Sequence, residues 1–341
     1  MNGRLPVIGA LRDTQSRVVE YVRISLTDRC NYRCTYCMPE SGVPLSAKTD
    51  VLSFEEIERL VELLLPLGVR RVRLTGGEPT VRKDLLQLVA RLSRLGLHDL
   101  AMTTNGERLE ELAAPLYAAG LNRLNVSLDS LDSDRFLAIT RKGELSAVLR
   151  GLQAAEAAGF RHTKINTVVL GGVNDDELAA LCRFAFERNL TPRFIEFMPM
   201  SEGALFSHGR FVSAAAMRLH LEREIGQLQD DGVADAPGVG PARYQRVTSG
   251  AYSGRRIGII SAVTEPFCET CNRIRISATG RLHTCLALDD DVDLRTPLRQ
   301  GQSDGELKRL IRSAVLGKAS GHQFRSCGSG GPRKHMVAIG G

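Results

Sequence analysis

The stretch SFEEIERLVELLLPLGVRRVRLTGGEP, Ser53 to Pro79, contains one whole unit of the fold. Ser53 and Glu56 form a capping box, in which each side chain satisfies the other residue's backbone N–H. An amphipathic run continues to Leu67, and Gly68 stops it because glycine accepts the left-handed turn that ends a helix. Val69–Leu74 follows as a short apolar and β-branched strand, closed at its C-terminal end by Thr75-Gly-Gly-Glu78-Pro79.

The same strand–helix unit recurs on both sides. Strands are expected at Tyr21–Leu26, Val69–Leu74, Asp99–Thr103, Arg123–Leu128, Lys164–Leu170 and Arg193–Met198. Further helices are expected at Asp84–Leu95, Leu109–Ala119, Leu145–Ala158 and Leu178–Arg188, the last behind an Asn-capped Asn174-Asp-Asp-Glu177. Six such alternations make a parallel sheet, either open or closed into a barrel. No Gly-x-Gly-x-x-Gly follows any strand, whereas polar and glycine motifs recur at strand C-terminal ends, where barrel active sites form. The fold class is therefore α/β, an incomplete (β/α)6 TIM-type barrel.

After Met200 the pattern changes. A Gly/Pro/Asp/Ala-rich surface loop at Gly232 to Gly240 precedes strand-like Arg243–Thr248 and Arg256–Ser261, and the residues from Gly321 onward read as an ordered-late or flexible tail. This divides the chain into a barrel domain, 14–235, and a C-terminal extension, 236–341.

The chain has 341 residues with 45 Lys+Arg against 39 Asp+Glu, a net charge of +6, and 43% apolar residues. That excludes disorder, collagen and coiled coil as whole-chain descriptions. The richest apolar run, Leu60 to Leu67, carries Glu62 and Pro66, so no membrane span is expected. The first 14 residues have no continuous apolar segment, and a cytoplasmic location is expected. Basic residues are mixed with acids, and there is no Trp, so a compact polyanion fits better than nucleic acid.

Six of the eight cysteines form two groups. In a reducing compartment, clustered thiols bind metal or carry out redox chemistry. Cys30-Asn-Tyr-Arg-Cys34-Thr-Tyr-Cys37 places three of them directly after the first strand. Zinc structural sites and electron-transfer iron–sulfur clusters use four ligands, so three thiols leave one metal position free. A zinc knuckle with a distant fourth ligand is the alternative. The second group, Cys268-Glu-Thr-Cys271 and then Cys285, again has three, with His283 and Cys327 available to complete a zinc site. Arg273 and Arg275 follow at once, two apart and so on one strand face. Of the remaining cysteines, Cys182 reads as a core residue and Cys327 as a free thiol.

Cys-x-x-x-Cys-x-x-Cys with Tyr36 before the last Cys resembles the radical S-adenosylmethionine superfamily. The resemblance implies a four-iron four-sulfur cluster on Cys30, Cys34 and Cys37, whose open iron chelates S-adenosylmethionine for one-electron cleavage to methionine and a 5′-deoxyadenosyl radical. Tyr36, Gly77, Ser127 and Met198 are implied S-adenosylmethionine contacts.

Basic residues also fall at strand positions where a barrel interior normally takes Val, Ile or Leu: Arg23, Arg73, Lys164 and Arg193. Several inward cations repel one another unless a multiply charged anion lies among them, and Arg forks suit phosphate oxygens. Together with Thr103-Thr-Asn-Gly106, Asn125-Val-Ser-Leu-Asp-Ser130, Lys164-Ile-Asn-Thr167 and Gly340-Gly341, these features resemble the GTP 3′,8-cyclase family from about Tyr21 to the last residue. That resemblance implies conversion of GTP to (8S)-3′,8-cyclo-7,8-dihydroguanosine 5′-triphosphate, the first step of molybdenum-cofactor biosynthesis. It implies a second four-iron four-sulfur cluster on Cys268, Cys271 and Cys285, with Arg273 and Arg275 among the catalytic residues. GTP contacts are implied at Arg23, Arg73, Thr103, Lys164, Arg273, Ile274 and Arg275, and a Gly-Gly tail entering the pocket. Also implied are a homodimer, an external electron donor, and transfer of the product to cyclic pyranopterin monophosphate synthase. The rival readings are another radical S-adenosylmethionine enzyme with an auxiliary cluster and a zinc-stabilised RNA-binding protein.

Overall fold

The computed structural model describes residues 9–231 and 240–340. Strands β1 (Tyr21–Ser25), β2 (Arg71–Thr75), β3 (Asp99–Thr104), β4 (Arg123–Ser127), β5 (Lys164–Val169) and β6 (Thr191–Glu196) lie side by side in chain order, each parallel to the next. The six expected strands are all present. The sixth starts two residues early and takes in Pro192 near its beginning, where a missing N–H costs least.

The second half of the chain does not form a separate sheet. It supplies β7 (Leu228–Asp230), β8 (Arg243–Val247), β9 (Arg256–Ile260), β10 (Arg273–Ile276), β11 (Arg281–His283) and β12 (Val292–Asp293). β9 pairs in parallel with β6 and β10 pairs in parallel with β1, so the strand order is β12-β11-β10-β1-β2-β3-β4-β5-β6-β9-β8-β7. Strands from both sides of residue 236 thus share one mostly parallel sheet, a partial barrel extended at both edges by later chain. The expected loop at Gly232 to Gly240 falls on 232–239, outside the described residues.

Alternation along the strands sorts the side chains. Val22 and Ile24, Val72 and Leu74, Leu100 and Met102, Leu124 and Val126, Ile274 and Ile276 all face outward into one apolar core against the helices. Each fully buried side chain of this size is worth about 1.5–3 kcal/mol, so the outer face fixes the register. The inner face receives the intervening residues, and these are polar: Arg73, Asn125, Lys164, Arg193 and Arg275 are all buried. Arg23 pairs in register with Arg73 on one side and Arg275 on the other. Three guanidinium groups therefore stand at one level on adjacent strands.

The helices largely follow expectation, including the Ser53–Glu56 capping box at Phe54–Leu64. Asn174 does not cap Leu178–Glu187. Its amide instead accepts from Leu170 N (2.8 Å) and donates to the carbonyls of Asp129 (2.7 Å) and Val168 (3.0 Å), which ties two strand ends together. A helix the sequence reading lacked, Ser133–Thr140, carries Asp132 as its N-cap. The tail from Gly321 is also not loose. Ser201 N donates to Lys334 O (3.2 Å) and Glu202 N to Pro332 O (2.8 Å). A Cβ on Gly331 would sit 1.5 Å from Pro199 O, so only glycine admits this approach.

Candidate active site

The loop after β1 carries the first three cysteines and is pinned from behind. Arg33 N and Thr35 N donate to the carbonyls of Thr140 (3.0 Å) and Ile139 (2.9 Å) at the end of Ser133–Thr140. The Tyr32 ring meets Phe136 edge-on at 6.2 Å. Within the loop, Cys37 N donates to Cys34 O at 2.9 Å. Burial pushes the Cys30 thiol up to about 11, Cys37 up to about 12 and Cys34 well above its ordinary range. Thiols raised in this way stay protonated near neutral pH, and a bound metal, which takes the thiolate form, draws the proton off.

The Thr75–Pro79 turn packs against this loop. A Cβ on Gly77 would lie 2.2 Å from Arg29 O, and Gly77 N donates to Thr27 O at 2.6 Å. The glycine is thus required by the cysteine loop itself. Glu78 is buried and fully engaged: it accepts from Thr80 N (3.0 Å), Thr80 Oγ1 (2.6 Å), Thr104 Oγ1 (2.7 Å) and Asn105 N (2.7 Å). It fixes the end of β3 as well as the turn.

Both cysteine groups open onto one cavity of about 280 Å³, the first from the loop after β1 at the C-terminal ends of the parallel strands and the second from the opposite end, where Cys271 precedes β10 and Cys285 follows the antiparallel β11. Cys30, Cys34 and Cys37 line one side; Cys268, Cys271 and Cys285 line the other. Tyr36, Gly77, Ser127 and Met198 lie on its wall, as do Arg23, Arg73, Thr103, Arg273 and Arg275. Two expected contacts are placed elsewhere. Ile274 points its side chain into the outer core because it alternates with the two arginines. Lys164 is buried at the start of β5 with Nζ 5.2 Å from the Tyr244 ring centre, and it does not line the cavity.

The charge balance of the wall is one-sided. Burial lowers Arg23 far below its ordinary value, and Arg275, Arg73 and Arg273 push it the same way. Arg275 is lowered to about 10 by burial and then by Arg273. Arg73 Nε and Thr103 Oγ1 are buried with no hydrogen-bond partner among the described residues. An unpaired buried donor is costly, and an acceptor entering the cavity would remove that cost. Arg193 is held by Asn166 Oδ1 (2.9 Å) and Asn125 Oδ1 (2.8 Å) and reaches the same cavity.

Asp129 is a site residue the sequence reading did not single out. It accepts from Tyr36 OH (2.7 Å) and Val168 N (2.9 Å), and burial raises it to about 6. It holds the Tyr36 ring beside Cys34 and Cys37. Its signal was present in Ser127-Leu-Asp129, where a second inward polar residue follows Ser127 by two.

On the opposite wall, burial alone would raise Cys271, but Arg273 and Lys318 outweigh it and bring the thiol down to about 7. Arg273 Nη2 lies 3.9 Å from Cys271 Sγ. The tail completes the cavity: Val337 and Met336 line it, and Gly340 O accepts from Arg275 Nη1 at 2.7 Å. Cys182 is buried in the core, and exposed Cys327 contacts Ser329 (3.2 Å) away from both groups.

Among the described residues, no three His, Cys, Asp or Glu side chains converge tightly enough for one metal ion. A single zinc needs such convergence. Three thiolates that each bind a different iron of a polynuclear cluster do not, so the donor sets fit iron–sulfur clusters better than zinc.

Comparison with known proteins agrees with this geometry. Residues 24–185 match the Radical SAM superfamily and residues 190–324 match Molybdenum Cofactor Synthesis C. The chain is 45% identical to GTP 3′,8-cyclase of Heliobacterium modesticaldum over 96% of its own length and 99% of that protein's. It is 41% identical to that of Pelotomaculum thermopropionicum, over 97% and 100%. Among solved structures, Streptococcus suis SuiB bound to S-adenosylmethionine superposes with a TM-score of 0.59 at 15% identity, over 86% of this chain and 68% of that one, a likeness of fold alone. The chain therefore belongs to the GTP 3′,8-cyclase family, radical S-adenosylmethionine enzymes of molybdenum-cofactor biosynthesis.

Proposed function

We propose that the cavity brings a guanine nucleotide and S-adenosylmethionine together between two iron–sulfur clusters. Cys30, Cys34 and Cys37 hold the first, and Cys268, Cys271 and Cys285 the second. The observation that carries this reading is that six cysteines from distant chain segments and five arginines line one cavity. The first cluster with S-adenosylmethionine supplies the one-electron chemistry that starts the reaction.

The chain's own residues do the rest by positioning. Tyr36, fixed by Asp129, and Gly77, Ser127 and Met198 form the S-adenosylmethionine side. Arg23, Arg73, Thr103, Arg193, Arg273 and Arg275 form the nucleotide side. The unpartnered Arg73 Nε and Thr103 Oγ1 donate to nucleotide oxygens. Lys164, in register with Asn125 and Thr103, adds positive charge beside the nucleotide side. Arg275, held against Gly340 O, places the tail beside the nucleotide. Residues 14–235 thus supply the radical-generating side together with Arg23, Arg73, Thr103 and Arg193, and 236–341 supply the second cysteine group, Arg273, Arg275 and the tail.

Dimerisation, an external electron donor, a cytoplasmic setting and transfer of the product to cyclic pyranopterin monophosphate synthase belong to the same proposal. No helix among the described residues is long and apolar enough to cross a membrane.

The test is anaerobic incubation of reconstituted protein with S-adenosylmethionine, dithionite and GTP, followed by mass analysis. The expected products are 5′-deoxyadenosine and 3′,8-cyclo-7,8-dihydro-GTP. 5′-Deoxyadenosine with unaltered GTP would overturn the substrate assignment and leave the radical chemistry standing.

A further inference from the structure

Two buried cations stand behind the second cysteine group, and they differ in what balances them. Arg17 donates through Nη1 to Cys268 O (2.7 Å) and Ser320 O (3.0 Å), and through Nη2 to Ala319 O (2.6 Å). Its charge is met by Asp13, whose Oδ2 lies 2.5 Å from Nε. Arg17 therefore fastens the Cys268 turn to the strap 318–320 as a neutralised pair.

Lys318 has no such partner. It is 3% exposed, its Nζ donates to Arg273 O (3.2 Å) and to Thr284 O, and among the described residues no carboxylate lies within ion-pair reach. Those two carbonyls belong to the residue two positions after Cys271 and the residue just before Cys285. The ammonium therefore bridges the two strand ends that carry these thiols. A buried ammonium is tolerated only near negative charge, and the carbonyls it binds belong to the residues that flank Cys271 and Cys285.

We propose that Lys318 is the counter-charge of the second cysteine group, a positioning residue that fixes the Cys271 and Cys285 segments against each other and favours one-electron reduction of the cluster they hold. This rests on the reading that Cys268, Cys271 and Cys285 hold an iron–sulfur cluster. A cluster with three thiolates becomes more negative on accepting an electron, and a fixed cation favours that more charged state. The wall arginines face the substrate side and are engaged by nucleotide, whereas Lys318 acts through the backbone and stays with or without it.

The experiment uses the full chain with Cys30, Cys34 and Cys37 changed to Ala, so that only the second cluster forms. Lys318→Met and Lys318→Arg are made in that background. Iron and acid-labile sulfide are counted after anaerobic reconstitution, and the midpoint potential is read by dithionite titration with electron paramagnetic resonance detection. Lys318→Met is expected to disfavour reduction about tenfold, a negative shift of about 59 mV for a one-electron couple, and Lys318→Arg is expected to stay near the parent. An unchanged potential in a fully loaded Lys318→Met protein would overturn the proposal.

If Lys318→Met takes up no cluster, urea unfolding of the metal-free chains decides. A near-parental midpoint with cluster uptake restored by Lys318→Arg supports the proposal. Collapse of the fold in both variants assigns Lys318 to packing and overturns it. Should the parent itself take up no iron, or keep its iron after removal of Cys268, Cys271 and Cys285, the cluster reading has failed instead.

Discussion

The two cysteine groups face each other across one cavity, yet they are built in opposite ways. Cys30, Cys34 and Cys37 come from eight consecutive residues, and burial pushes all three thiols up. Cys268, Cys271 and Cys285 come from two segments, joined by Arg17, Lys318 and the register of β10 with β11, and cations bring Cys271 down to about 7. One is a local loop in which burial raises every thiol. The other is a tertiary assembly in which nearby cations lower Cys271 while burial raises Cys285. The lesson is that spacing alone specifies the first site, whereas the second exists only once the sheet has formed.

The largest effect should come from breaking the local loop. Cys30→Ala, Cys34→Ala or Cys37→Ala is expected to abolish 5′-deoxyadenosine formation while GTP binding partly survives, measured by chromatography and nucleotide titration. Persistent 5′-deoxyadenosine in the triple variant would remove this loop from radical generation. Changing Cys268, Cys271 or Cys285 to Ala should instead abolish cyclised nucleotide and leave residual 5′-deoxyadenosine. Equal loss of both, with the first cluster intact by spectroscopy, would erase the contrast.

The electrostatic half of the comparison is sharpened in metal-free protein. Cys271 has a folded-state value of about 7, below its ordinary 9, so its thiolate adds stability above about pH 9 that fades as pH falls through about 7. Cys30, raised to about 11, does the reverse: its thiol form adds stability below about pH 9, and this fades as pH rises through about 11. At pH 7 the thiolate fractions differ by about four decades, and lower intrinsic nucleophilicity at lower pKa returns nearly half of that. Alkylation mapped by mass spectrometry should therefore label Cys271 about a hundredfold faster than Cys30. Equal rates would refute the difference in charge.

Arg273→Ala and Arg275→Ala should each weaken GTP affinity or turnover about tenfold to a hundredfold, the value of a charge-assisted hydrogen bond of roughly 1.5–3 kcal/mol. More 5′-deoxyadenosine per cyclised product is expected, because a poorly positioned substrate uncouples the reaction. Arg→Lys should rescue poorly, since a point charge does not reproduce the guanidinium fork. Wild-type coupling in both Ala variants would take these residues out of the site. The smallest effect belongs to Tyr36→Phe, which removes the bond to Asp129 and at about 1 kcal/mol should weaken S-adenosylmethionine binding several-fold. Binding titration checks it, and an unchanged affinity would show that the bond does not position the ring.

What the sequence determined by itself is whatever local chemistry fixes: the Ser53–Glu56 cap, the six strands, the spacing of Cys30, Cys34 and Cys37, and the alternation that turns Arg273 and Arg275 to one face. These depend on neighbours within a few residues. The same alternation sends the Ile274 side chain outward, so only its backbone can serve the nucleotide. Other features were decided only by the tertiary structure. Lys164 reads like the other inward cations, and the pairing of Thr103 with Asn125 and of Asn125 with Lys164 sets it level with the cavity wall, but its ammonium lies 5.2 Å from the Tyr244 ring centre, a neighbour that only the later chain supplies. The tail is poor in apolar residues, yet it is ordered by close backbone approaches such as Gly331 to Pro199. Arg17 and Lys318 carry no motif at all; they became part of the site because folding brought the carbonyls of Cys268, Arg273 and Thr284 within reach of their donors. Hydrogen bonds to backbone oxygen leave no trace in residue type, so no reading of side chains along the chain finds them.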